Sequence, residues 1–283
     1  MVEEWIAIAK KISENETHLK VSREWIVIMA LTAILLCLVI QWWLHFDSYS
    51  RQYHWFDAYF HWMKERFEHL SFWRGIGGVG IVVLPLLLIY ILIALFVCHL
   101  LTIVGYYFLT VVVLWYCMDT RSHAPENIAH VTVEEVLINA YRRIFALIFW
   151  LLILGSTGVV LYTLVANLNR HLGNHSLEED NNLYLAARRI EGVLDWVPVR
   201  LTGITFALVG YFSATFKRWY SYVYTGIASA RQQIIEYGLT ALGIEESHPL
   251  LVEKLVAIDG LINRALWVWL VVIALFTIGR WIG

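Results

Sequence analysis

The side chains that could do chemistry concentrate in one stretch, Arg189-Ile190-Glu191-Gly192-Val193-Leu194-Asp195-Trp196-Val197-Pro198-Val199-Arg200-Leu201-Thr202. It reads as a helix carrying Asp195 and interrupted at Pro198, with Arg200 at the entrance to an apolar run. Proline inside a helix frees a backbone carbonyl and bends the axis. An Asp195–Arg200 pair beside such a bend is either a structural clamp or an anion site, and the residues alone favour the clamp.

Two other constellations carry weaker chemistry. His54, Asp57, His61, Glu65 and Glu68 share one helix face, and imidazole and carboxylate ligands so placed can hold a divalent cation. A solvated polar face is the simpler reading. Gly75-Ile76-Gly77-Gly78-Val79-Gly80 has the G-x-G-x-x-G spacing. Dinucleotide binding needs a strand before that loop and a βαβ unit around it. Here it reads as the flexible entry into a membrane helix.

The elements that must position these residues follow from composition. The chain has 283 residues, of which 59% are apolar and 16% charged. Its mean hydropathy is +0.62. Soluble domains carry ~25% charged residues, so an ordinary soluble enzyme is excluded. The net charge of −2 gives no reason to expect nucleic acid as a partner. Cys37, Cys98 and Cys117 sit in or beside apolar runs and form neither a disulfide framework nor a zinc pattern. The chain is an all-α, polytopic integral membrane protein, and the lipid bilayer is its first partner.

A bilayer core of ~30 Å needs about 20 apolar helical residues. Stretches of about that size place membrane segments near 25–44, 79–97, 100–117, 144–168, 201–216 and 265–281, about five or six in all. Gly75–Met118 holds no Asp, Glu, Lys or Arg. It reads as two antiparallel helices with a turn near Cys98–Gly105 that carries His99. The stretch 144–168 is broken by Gly155-Ser156-Thr157-Gly158, which fits either a full span or a re-entrant hairpin. Tyr53–Leu70 places Trp55, Phe56, Tyr59, Phe60, Met63 and Phe67 on one face, as an interfacial amphipathic helix does. Residues 1–24 form a polar N-terminal extension, and 25–283 form a single membrane domain.

The stretch Asp195-Trp196-Val197-Pro198-Val199-Arg200-Leu201, followed by Phe206-Ala207-Leu208-Val209-Gly210, resembles the D-W-x-P-x-R-L motif of the AmpE family. These are bacterial inner-membrane proteins linked to β-lactamase induction. That family is similar in turn to the CobD/CbiB family, which makes adenosylcobinamide phosphate with ATP and Mg²⁺. The resemblance runs from about Trp25 to the C-terminus. It includes Ala146-Leu147-Ile148-Phe149-Trp150 and the Gly155–Gly158 element with Tyr162. The candidate ligand or structural site it implies is Glu134, Asn139, Glu191, Asp195, Trp196, Pro198, Arg200 and Thr202.

The departures bear on activity. The enzymes carry E-S-x-A-E-N-x-x-D-G about ten residues before A-P-L-F-W. On that anchor Glu134 and Asn139 match, but Ile138 stands in place of the second Glu and Arg142-Arg143 in place of Asp-Gly. Magnesium needs hard oxygen ligands, and these exchanges remove two. Glu191-Gly192 replaces a double Asp, and Asp195 replaces an Asn. The segment 118–143 is short, and the late Ser-Pro-Asn element is absent from Tyr222–Gly243. The resemblance therefore implies a kept framework with a dismantled active site. It points to a non-enzymatic, multi-pass inner-membrane regulator that binds a protein partner or a cell-wall metabolite. No catalytic residue, metal or cofactor is assigned, and Mg²⁺–ATP is disfavoured. A homodimer is compatible with the chain, although no seam marks an interface. The alternatives are an ATP-dependent enzyme of cobamide synthesis and a membrane scaffold or transporter. The scarcity of ionisable residues in the apolar runs speaks against ion-coupled transport.

Overall fold

The computed structural model describes residues 29–41, 43, 54–69, 73, 75–118, 132–174, 181–223, 230–243 and 252–282. The N-terminal extension 1–24 lies outside them. Every element among the described residues is helical. The elements are α1 (Met29–Gln41), α2 (His54–Phe67), α3 (Ile76–Cys117), α4 (Val133–Ala140), α5 (Ala146–Leu154), α6 (Ser156–Asn174), α7 (Asn181–Val209), α8 (Phe212–Tyr222), α9 (Ala230–Leu242) and α10 (Val252–Ile282). A single π-helical turn, Tyr141–Phe145, joins α4 to α5. Four helical stretches among the described residues have the length and composition to cross a bilayer: Ile76–Leu101, Val133–Leu154, Asn182–Val209 and Val256–Gly279. This is an all-α membrane protein.

Helical backbone runs from Ile76 to Cys117, yet not as one straight rod. Trp55 Nε1 donates to the Tyr116 hydroxyl at 3.0 Å. One turn along α2, the Tyr59 hydroxyl donates to Val82 O, also at 3.0 Å. A straight helix would hold Val82 and Tyr116 about 51 Å apart at ~1.5 Å per residue, beyond the reach of two adjacent side chains. The run therefore reverses direction between them.

The stretch 144–168 is not one helix. Gly155 has φ 66°, a region that side-chain-bearing residues avoid, and it separates α5 from α6. A Cβ at Gly158 would lie 2.6 Å from Trp150 O, so α6 leaves the turn packed closely on α5. The geometry is a hairpin.

The expected segment 201–216 is corrected in a similar way. Its first half is the end of α7, which as a candidate span begins at Asn182, and its second half begins α8. The break is at Gly210, where a Cβ would lie 2.6 Å from Ala241 O. Tyr211 N donates to that same carbonyl at 3.1 Å. Close backbone approach by α9, rather than local propensity, ends α7 there. Pro198 does not interrupt the helix, because α7 runs through it.

The centre of the apolar face of α2 is buried against protein, while Trp55 on the same face is exposed. Phe56, Phe60 and Met63 pack with Val79, Val82 and Val83 of α3, Leu168 of α6 and Leu183 of α7. On its polar face Asp57 pairs with the buried His171 of α6 at 2.6 Å, so that face is not simply solvated. No group of three or more His, Cys, Asp or Glu able to hold a metal exists among the described residues. A larger core surrounds the π turn. In it Phe145 meets Phe206 edge to face at 5.9 Å and Trp269 at 5.8 Å. Trp269 Nε1 donates to Thr205 Oγ1 at 3.1 Å, tying α10 to α7.

Candidate functional site

Antiparallel packing of α6 on α7 and the π turn together build a buried polar network. Tyr184, Arg188, Glu191 and Asp195 recur at helical spacing along α7 and face one cleft. Adjacent residues on a regular α-helix diverge by about 100°. In the wider π turn both Tyr141 and Arg142 nonetheless contact α7. Tyr141 Oη donates to Asp195 Oδ1 at 2.7 Å, and Arg142 Nη2 lies 2.5 Å from Glu191 Oε1. From α6, Tyr162 Oη donates to the same Asp195 oxygen at 2.9 Å. Asn169 Nδ2 donates to Glu191 Oε2.

Burial makes these contacts consequential. Glu191 is 4% exposed and Asp195 6%. An acid so placed needs compensating partners, because burying an unpaired charge is costly. Both oxygens of Glu191 are engaged, and Oδ1 of Asp195 serves two phenols. Because the Asn169 amide turns its nitrogen to Glu191, its buried Oδ1 is left without a partner among the described residues.

The cleft over this network is narrow. Its interior volume is about 40 Å³, enough for a water or two. Ile138 and Ile234 supply apolar wall, while Arg188 and Arg231 stand exposed at the edge.

Of the residues singled out from sequence, Glu191 and Asp195 meet in the cleft. The other six do not line it. Glu134 is exposed on the first turn of α4, where a carboxylate favours the helix dipole. That helix is capped by Thr132, whose hydroxyl accepts from Glu135 N at 3.3 Å. Asn139 is half-buried and outside the cleft. Pro198 and Thr202 are buried, and Thr202 Oγ1 donates to Pro198 O at 2.8 Å.

The Asp195–Arg200 clamp is not formed. Arg200 donates through Nη1 to Trp196 O at 2.7 Å and through Nη2 to Val223 O at 3.0 Å. Its guanidinium lies 4.2 Å from the centre of the Trp196 ring. Trp219 Nε1 of α8 donates to Arg200 O at 3.0 Å. Arg200 thus fastens α8 to α7, and tyrosines serve Asp195 in its place. Five residues on a helix turn a side chain well away from its starting face, which explains the separation.

Sequence reasoning missed Arg142, Tyr141 and Asn169 as members of the site. Arg142 counted there as a lost ligand, whereas its charge is matched by Glu191. The available signal was an arginine at the entrance to an apolar run, since ionisable groups inside membrane segments are rare and partnered. Arg142, Glu191 and Asp195 all lie within candidate spans, so the membrane region holds more ionisable groups than the uncharged runs suggest.

The family model described as "Regulatory signalling modulator protein AmpE" matches residues 122–281, which include the whole polar network. Cobalamin biosynthesis protein CobD of Chromobacterium violaceum is 30% identical over 169 residues, covering 53% of this chain and 54% of that protein. CobD of Stutzerimonas stutzeri is 31% identical over 126 residues, covering 44% and 41%. Protein AmpE of Shigella flexneri is 29% identical over 141 residues, covering 49% of each chain. The chain thus spans about half the length of the curated relatives it matches. No solved structure matches it. With the matched model covering more than half of its length, this chain belongs to the AmpE family.

Proposed function

We propose that this protein is a non-enzymatic regulator in the bacterial inner membrane, modulating β-lactamase induction or cell-wall-stress signalling. It does so by binding a protein partner or a cell-wall metabolite. The observation that carries this reading is that both buried carboxylates are partnered within the protein. Arg142 and Asn169 occupy both oxygens of Glu191, and two tyrosines share one oxygen of Asp195. A Mg²⁺–nucleotide site needs carboxylate oxygens turned toward the metal and room for phosphates. These residues do not fit that group: one carboxylate is spent on an arginine, and the cleft volume of about 40 Å³ is far below the ~300 Å³ or more of usual ligand pockets. The network instead rigidifies the α4–α5, α6 and α7 elements, so that a partner bound at the exposed Arg188 and Arg231 reads one defined surface.

The reading is tested by deleting the gene in its host and measuring β-lactamase induction. A changed induction threshold, restored by the wild-type chain, supports it; unchanged induction counts against the signalling role. The likeness to proteins named CobD favours a second reading, an ATP-dependent enzyme of cobamide synthesis. Rescue of a strain lacking that enzyme under cobalamin-limited growth would establish the second reading, and absence of rescue favours the first.

A further inference from the structure

A second, larger cavity of about 270 Å³ lies away from the polar network, where α5 turns into α6. That is on the order of nine water volumes at ~30 Å³ each, in a concavity that opens at the protein surface. Its walls come from Ala30 of α1, Tyr106 and Thr110 of α3, and Leu151 and Leu154 of α5. Ile153 and Leu154 at its edge are 61% and 49% exposed, and they end a 22-residue apolar candidate span. The medium outside that edge is therefore bilayer rather than water.

One corner of this apolar space is polar in a specific way. Ser156 Oγ donates to the Tyr106 hydroxyl at 3.1 Å. One hydroxyl proton of this pair is left over, and the buried Tyr90 hydroxyl beside it has no hydrogen-bond partner among the described residues. Gly155 makes the arrangement feasible: its φ of 66° turns the chain, and even a Cβ there would sit 3.1 Å from the Tyr106 hydroxyl. Thr110 adds no second donor, because its Oγ1 is spent on Tyr106 O at 2.9 Å. The cavity thus pairs an apolar volume open to lipid with a small hydroxyl cluster at one corner, at the end of a span where a bilayer's ester layer lies.

We propose that this cavity holds one acyl chain of a bilayer phospholipid, with an ester carbonyl accepting the Tyr106 hydroxyl. An apolar cavity excludes water and takes up an apolar guest, and a hydroxyl proton without a protein acceptor favours an ester over a plain hydrocarbon or ether chain.

The test is photolabelling of the full chain in phosphatidylethanolamine–phosphatidylglycerol vesicles containing a phospholipid with a diazirine in its acyl chain. Labelled residues are then mapped by mass spectrometry. Leu151 and Thr110 are 1% and 7% exposed, so chains that merely coat the protein do not reach them as they reach Leu92 and Phe96. Label on Leu151 and Thr110 is expected, reduced several-fold by the cavity-filling substitutions Ala30→Phe and Thr110→Leu while label on Leu92 persists. Tyr106→Phe is expected to lower cavity labelling about fivefold for the ester lipid, the worth of one ~1 kcal/mol hydrogen bond, and to leave its dialkyl-ether analogue unchanged. Absence of label on Leu151 and Thr110, or label indifferent to both filling variants, would overturn the site. An equal response of ester and ether lipids to Tyr106→Phe would overturn the carbonyl contact.

Discussion

Arg142 and Glu191, far apart in sequence and both inside candidate membrane spans, meet at 2.5 Å in the interior of the protein. The contact joins the π turn to α7 and places a positive charge beside the cleft's carboxylates, where a metal site would need a ligand.

Removing the arginine strands a buried carboxylate. Breaking a buried ion pair costs about 3–5 kcal/mol, whereas replacing both partners by apolar residues of similar volume is often neutral. Arg142→Ala should therefore lower the melting temperature of the detergent-solubilised protein sharply. The double variant Arg142→Met, Glu191→Met should recover most of the loss. Equal melting of Arg142→Ala and wild type would show that the pair contributes nothing.

Asp195 draws on two phenols through a single oxygen. A hydrogen bond contributes roughly 0.5–1.5 kcal/mol, and up to ~3 when it serves a charged group, so Tyr141→Phe and Tyr162→Phe should each destabilise by about 1–3 kcal/mol. Because they share one acceptor, their effects should be non-additive by ~0.5 kcal/mol or more. Thermal melts of the two single variants and the double variant measure this; strict additivity would contradict a shared acceptor.

Arg200 belongs to the α7–α8 junction and not to Asp195. Arg200→Ala and Asp195→Asn should therefore be additive within ~0.5 kcal/mol. A coupling energy above ~1 kcal/mol in that cycle would restore the clamp that the D-W-V-P-V-R-L stretch suggests.

The α5–α6 hairpin depends on its two glycines. Gly155→Ala forces a side chain into a strained backbone region, at a cost of about 1–3 kcal/mol. Gly158→Leu drives a side chain into the Trp150 carbonyl and Leu154. Both should reduce yield and melting temperature, Gly158→Leu more severely; wild-type melting of Gly158→Leu would show that the helices are not so close.

The helical membrane architecture was legible in the sequence because uncharged runs and the aromatic face of α2 report burial directly. Phe56, Phe60 and Met63 were placed correctly by helical periodicity, although protein covers them where lipid was expected. Glu191 and Asp195, singled out through their motif, line the candidate cleft together. Their partners were not legible, since Arg142 and Tyr162 reach them only through tertiary packing, and the π turn that orients Tyr141 with Arg142 leaves no local signature. Gly210 ends α7 because Ala241 O lies against it, a contact with a residue distant in sequence. Pro198 misled for a related reason: the surrounding bundle supports a helix through a residue that locally disfavours one.

The proposed lack of a Mg²⁺–nucleotide site is tested most directly by thermal melting with and without millimolar Mg²⁺–ATP. A ligand that binds the folded state raises the melting temperature by mass action. The account predicts no Mg²⁺-dependent shift for the detergent-purified wild-type chain. A clear Mg²⁺-dependent rise would contradict it and restore the enzymatic reading.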